Sequence, residues 1–226
     1  MNMRLKIIFN LPNSDAFLYN GYQDDVLLYF KEYFNCEHIG ITDFFSPRKI
    51  ETEKGIWLSN VASLIVCSPL LLSRINEIVG LPGKQLKIQG NTFITDHVRV
   101  YDQETLYDGI LLSGAFSCDG NSFCEYEKSP ELFSEQLRLN LIDIYKNINN
   151  QEEPEDKRFF ISLKKGYKKQ YILGRPVYRG VYTIHGSLVL CGIFNQCFVT
   201  GRLRSKNKSN KKKPVFGKYN SERCGT

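Results

Sequence analysis

Long apolar runs are missing from this chain. The longest, Val61–Val66 and Leu188–Ile193, are strand-length and fall well short of the roughly 18 residues a membrane helix needs, which excludes a transmembrane helix. The start, Met1-Asn2-Met3-Arg4-Leu5-Lys6, has no apolar h-region and no small-residue cleavage site, so a cytoplasmic location is expected. Histidine is scarce: His38, His97 and His185 show no ligand spacing with one another or with cysteine, which argues against a zinc site. The seven cysteines are odd in number and contain no Cys-x-x-Cys pair, which argues against a disulfide framework or a redox motif. Cys67, Cys191 and Cys197 sit in apolar runs and read as reduced core thiols. There is no Walker A loop, no G-x-G-x-x-G, no G-x-S-x-G and no H-E-x-x-H. Asp24-Asp25 and Glu152-Glu153 read as solvated positions, so the convergent acids of a two-metal nuclease are also missing.

What is present is an uneven distribution of charge. The 226 residues carry a modest net +6, with an ordinary 42% hydrophobic and 24% charged content that excludes a disordered chain, a collagen or a coiled coil. Residues 157–226, however, hold 17 Lys and Arg against the single acid Glu222, a net of +16. The first 156 residues hold 13 basic and 23 acidic side chains, a net of −10. Such asymmetry points to a polyanionic partner for the second half. Lys157-Arg158, Lys164, Lys165, Lys168, Lys169, Arg175 and Arg179 lie on or between its strands, and Arg202, Arg204, Lys206, Lys208 and Lys211-Lys212-Lys213 in its tail. Cations of this density bind phosphate backbones by releasing counterions. Tyr167, Tyr171, Tyr178 and Tyr182 are interleaved with them, as base stacking would require.

The order of elements suggests two halves. Met3–Phe9 alternates as a strand, and Pro12, Asn13, Ser14 and Asp15 mark Leu11–Tyr19 as a loop. Val26, Leu27, Tyr29, Phe30, Tyr33 and Phe34 recur at helical spacing over residues 22–34. His38 to Phe45 is a loop entering a short strand, and Ile56–Cys67 is a longer one. Ser68-Pro69 opens a second helix, with Leu71, Leu72, Ile75, Ile78 and Val79 on one face. Two short strands follow around Gly90-Asn91. This β-α-β-β-α-β order is ferredoxin-like: α+β, with helices on one face of an antiparallel sheet. The second half repeats it with a strand at Gly109–Phe116, a helix from Ser129-Pro130-Glu131 through Ile148, and strands at Phe159–Leu163, Tyr171–Leu173 and Val181–Leu190. Ile193–Val199 fits either a short final helix or the end of a strand. The expected division is 1–103 and 104–226, the second half ending in a basic tail.

Among the histidines, His38 stands out. It follows a helix and precedes Gly40 in a polar loop, where an imidazole can titrate near neutrality and act as a general acid or base. His97 reads as a strand-surface residue and His185 as a turn residue amid the basic half.

These residues resemble the CRISPR repeat-processing endoribonucleases of the RAMP superfamily. The resemblance rests on Met3-Arg4-Leu5-Lys6-Ile7 and on His38-x-Gly40 leading to Phe44-x-Ser46. It continues through Ile56-Trp57-Leu58-Ser59, Val66-Cys67-Ser68-Pro69, Leu86–Phe93, and the helix holding Ser129-Pro130-Glu131, Leu137–Leu141 and Tyr145-Lys146. It implies tandem ferredoxin-like (RRM-like) halves and RNA cleavage without metal or cofactor, by attack of the ribose 2′-hydroxyl on the adjacent phosphate. The implied partners are CRISPR repeat RNA and other subunits of a CRISPR effector complex, with the chain a monomer or a homodimer. His38 matches the family histidine and Tyr29 the family tyrosine; the family lysine is unmatched, and Arg48 or Lys49 would supply its charge. Gly201, Arg202, Arg204, Lys206, Asn207 and Lys208 fall where the family has its RNA-gripping glycine-rich loop. Here one glycine and the Ser-Lys-Asn step remain, while the closing Gly-Phe-Gly is absent at that spacing. Two other functions fit the same residues: a non-catalytic repeat-binding subunit, and a general nucleic-acid-binding protein with a basic tail.

Overall fold

The structure, a computed structural model, describes residues 2–119, 122–149 and 152–203. Its first half runs β1 (Asn2–Tyr19), α1 (Tyr22–Phe34), β2 (Gly40–Ile41), β3 (Ile50–Glu51), β4 (Gly55–Cys67), a 3₁₀ turn (Leu71–Arg74), α2 (Ile75–Val79), β5 (Gln85–Ile88) and β6 (Asn91–Gln103). The sheet order is β2-β4-β1-β6-β5, with β3 added beside β4, and every pairing is antiparallel. β1 is central because its alternation serves the core: Leu5, Ile7 and Phe9 are buried on one face and pack under Val26, Phe30 and Phe34 of α1. Each such side chain contributes about 1.5–3 kcal/mol on burial.

The second half runs β7 (Asp108–Ala115), β8 (Ser117–Asp119), β9 (Ser122–Cys124), α3 (Pro130–Asn149), β10 (Phe159–Leu163), β11 (Lys168–Ile172), β12 (Arg175–Gly186), α4 (Leu188–Cys197) and β13 (Thr200–Gly201). Its sheet order β10-β12-β7-β13 reproduces β2-β4-β1-β6 strand for strand. Both are the ferredoxin-like arrangement, an antiparallel sheet carrying two helices. Each half has its own core, one from Met3 to Phe93 and one from Leu111 to Phe198. Among the described residues no helix is long and apolar enough to cross a membrane.

Three local expectations are corrected. Leu11–Tyr19 is strand rather than loop: after an irregularity between Asn10 and Asp15, residues Asp15–Tyr19 pair with Gly55–Ser59. The turn-forming residues mark the irregularity, where Ser14 takes φ 64°, and not the end of the strand. The helix after Pro69 does not bury a single face. It splits into a 3₁₀ turn and one short α segment, which breaks the 3.6-residue phase, leaving Leu72, Ile75 and Val79 exposed. The expected strand Val181–Leu190 stops at Gly186, because Ser187 caps α4 by accepting from the Leu190 N–H at 3.2 Å.

Buried polar contacts help to join the halves. Arg4, fully buried on β1, donates from Nη2 to the carbonyls of Asn195 and of Phe198, the latter at 3.1 Å. Asn195, also fully buried, accepts from Leu106 N–H at 3.2 Å and donates to the Leu106 carbonyl at 3.1 Å. It thereby ties α4 to the segment that crosses between the sheets.

Candidate active-site cleft

A cleft of about 300 Å³ lies between α1 and the following loop on one side and α3, β7 and β12 on the other. His38 reaches it because its backbone is pinned on both flanks. α1 ends at Asn35 in the left-handed conformation (φ 44°), closed by Cys36 N–H to the Lys31 carbonyl at 3.0 Å. The buried Cys36 Sγ lies 2.9 Å from Ser68 Oγ. On the other flank Gly40 enters β2, where a Cβ would stand 2.4 Å from the Cys197 carbonyl oxygen and 2.8 Å from Cys67 Sγ. Glu37 and His38 are the exposed residues between these anchors.

Electrostatics set the state of the imidazole. Partial desolvation by the cleft walls pushes the His38 pKa below its ordinary 6.5; Lys31 acts in the same direction and Glu37 opposes. This favours the neutral imidazole, whose lone pair can accept a proton. Lys31 Nζ lies 2.7 Å from Glu37 Oε2, and that hydrogen bond and charge, aided by more distant Arg175, hold the Glu37 carboxyl below the usual range.

The hairpin that forms the far wall is clamped to the first half at two points. Its turn, Leu173-Gly174, has positive φ at both residues (49° and 72°), as a type I′ turn requires. The Leu173 N–H donates to Asp24 Oδ1 at 2.8 Å. Further along β12, Arg179 Nη1 lies 2.5 Å from Asp43 Oδ2, and Gln23 Nε2 donates to Asp43 Oδ1 at 3.2 Å. Burial alone would raise the Asp43 pKa, but the Arg179 charge and hydrogen bond outweigh it and the carboxyl stays below its ordinary value. Burial and Asp43 push the Tyr22 phenol well above its ordinary range.

Lys31, His38, Arg175 and Arg179 line the cleft together. Tyr29 does not. It sits about 160° around α1 from Lys31, stacked 5.9 Å from the Tyr33 ring, and burial raises its pKa. Lys49 pairs with Glu51 at 2.8 Å outside the cleft lining. Lys164, Lys165 and Lys168 are exposed around the β10–β11 turn. Lys169 is held by Glu125 and Glu127 at 3.2 and 3.6 Å. Gly201 closes β13 and Arg202 pairs with Glu104 at 2.6 Å. Arg204, Lys206, Asn207 and Lys208 lie outside the described residues.

The tyrosine expectation is corrected. Tyr178 and Tyr182 are fully buried, bonded to Glu127 at 2.6 Å and to the Leu106 carbonyl at 3.2 Å, so neither ring can stack on a base; Tyr171 is 60% exposed. Lys31 is the cleft residue that sequence reading missed. Its signal was available: it lies four residues after Leu27, on the helical face that points away from the Tyr29 and Tyr33 side.

No protein-family model and no curated protein matches the sequence. Solved structures do match. One described as CRISPR associated protein Cas6 is 13% identical, with a TM-score of 0.69 over 87% of this chain and 93% of that one. A RAMP protein described as binding different RNA substrates is 19% identical, with a TM-score of 0.67 over the same shares. The product of a Cas6-related gene from Pyrococcus furiosus is 19% identical, with a TM-score of 0.63 over 88% and 94%. The chain thus has the tandem ferredoxin-like fold of the RAMP proteins. Its likeness in fold extends along nearly the whole length of the Cas6, RAMP and Cas6-related structures.

Proposed function

We propose that the protein is an endoribonuclease that cuts CRISPR repeat RNA without a metal ion, with residues 1–103 supplying the acid–base group and 104–226 most of the RNA-holding charge. The observation that carries this reading is a histidine, pinned on both flanks, in a cleft it shares with cations from both halves. Likeness in fold to a CRISPR associated protein and to a RAMP protein that binds different RNA substrates supports an RNA of the CRISPR system as the substrate. His38 takes the proton of the ribose 2′-hydroxyl, and the oxygen attacks the adjacent phosphorus. The bond to the 5′-oxygen breaks and that oxygen takes a proton from solvent. The products are a 2′,3′-cyclic phosphate and a 5′-hydroxyl. Lys164, Lys165, Lys168 and Arg202, with the basic tail, hold the flanking phosphates.

The test is cleavage of end-labelled repeat RNA in EDTA. Cyclic-phosphate ends are expected, with His38→Ala slower by about 10²–10⁴-fold. Equal cutting by His38→Ala would overturn the assignment. Tight, salt-dependent binding with no cutting would instead identify a repeat-binding subunit, the reading favoured by the position of Lys49 away from His38.

A further inference from the structure

We propose that Arg175, borne by the second half, is the residue that grips the phosphate at the cut site and neutralises the charge that builds on it. The inference rests on the functional reading above and assigns the electrostatic role for which neither Arg48 nor Lys49 lines the cleft.

Three observations lead to Arg175. The first is that its charge is not taken up by a close ion pair, Glu37 acting on it only from a distance. Of the other cleft cations, Lys31 is paired with Glu37 and Arg179 with Asp43. Arg175 lines the same cleft and, among the described residues, has no carboxylate within ion-pair distance. The second is that its guanidinium is held without being consumed. It lies 5.4 Å from the Phe116 ring centre and 5.6 Å from that of Phe123. No hydrogen bond of the Arg175 side chain is made among the described residues, so its planar fork of N–H donors stays available for a bidentate grip on two phosphate oxygens. The third is placement. Arg175 lies between the two clamps, Leu173 N–H on Asp24 and Arg179 on Asp43, so a group on the second half is fixed relative to His38 on the first.

The chemistry needs such a group. As the 2′-oxygen bonds to phosphorus, the non-bridging oxygens gain negative charge before the 5′-oxygen leaves. A donor aimed at them and already oriented stabilises that state more than the ground state.

Single-turnover cleavage of repeat RNA is measured beside binding of the same RNA carrying a 2′-deoxy nucleotide at the cut, which cannot react. Arg175→Ala is expected to slow cleavage by about 10²–10³-fold. It should also weaken deoxy-RNA binding and lower the salt slope by about 0.7. Arg175→Lys should recover binding but little of the rate, because an ammonium lacks the planar fork. Added guanidinium ion should restore part of the rate to Arg175→Ala. If Arg175→Ala cuts at the wild-type rate while His38→Ala does not cut, the Arg175 assignment falls and the functional reading stands. If the wild type cuts no repeat RNA, the functional reading falls. The deoxy-RNA arm then still decides the phosphate grip, and unchanged affinity with an unchanged slope overturns it.

Discussion

At the scale of single residues, Lys31 and Glu37 act on His38 in opposite directions. Desolvation is the largest influence and, with Lys31, keeps the pKa below 6.5 against the pull of Glu37. A base works when unprotonated, so cleavage rises with pH and levels off above the His38 pKa. Lys31→Met removes a cation that lowers that pKa and frees the carboxylate that raises it. The acid limb of the pH–rate profile is therefore expected to move to higher pH, as single-turnover rates between about pH 5 and 8 would show. A limb that stays in place would mean that the titrating group is not His38.

At the scale of elements, β2 is only two residues long, yet it carries the approach to the site. Its Gly40 is packed against a backbone carbonyl and a buried thiol, with no space for a Cβ. Gly40→Ala must push β2 away from β4 and α4, and overpacking of this kind costs about 1–3 kcal/mol. Thermal unfolding should show the loss. The cleavage rate should fall further than stability alone accounts for, because His38 is two residues away. A drop in melting temperature with an unchanged rate would separate β2 from the site. The same packing explains why the glycine was legible and its cause was not. Gly40 is visible two residues after His38, but Cys197, its neighbour in space, is 157 residues further along the chain.

At the scale of the whole molecule, the cleft lies between two halves with separate cores that are held together in part by polar contacts. The Asp43–Arg179 pair is one of these, linking residues 136 positions apart. Asp43→Asn leaves Arg179 partly buried without its counter-charge, an expected loss of about 2–4 kcal/mol measurable by denaturant unfolding. The pH dependence has a definite sign. The folded-state pKa of Asp43 is depressed, so its contribution is complete above the ordinary aspartate value of about 3.9 and is lost as pH falls through the folded value. Wild type and Asp43→Asn should therefore converge in stability below that range, and parallel curves would contradict the role given to the pair.

The primary structure by itself determined the doubled β-α-β-β-α-β order, because helical and strand periodicity are local properties of neighbouring residues. It also determined the basic second half and the candidate histidine. It misplaced the exposed aromatics, since Tyr178 and Tyr182 look the same as Tyr171 in a strand until packing buries them. It offered Arg48 or Lys49 for the partner charge because both are near His38 along the chain, while Lys49 is paired with Glu51 outside the cleft lining. Only the tertiary structure decided that Lys31 and Arg175 share a cleft with His38. Those approaches depend on contacts such as Asp24 with Leu173, 149 residues apart, and pairings at that range leave no periodic trace in a single sequence.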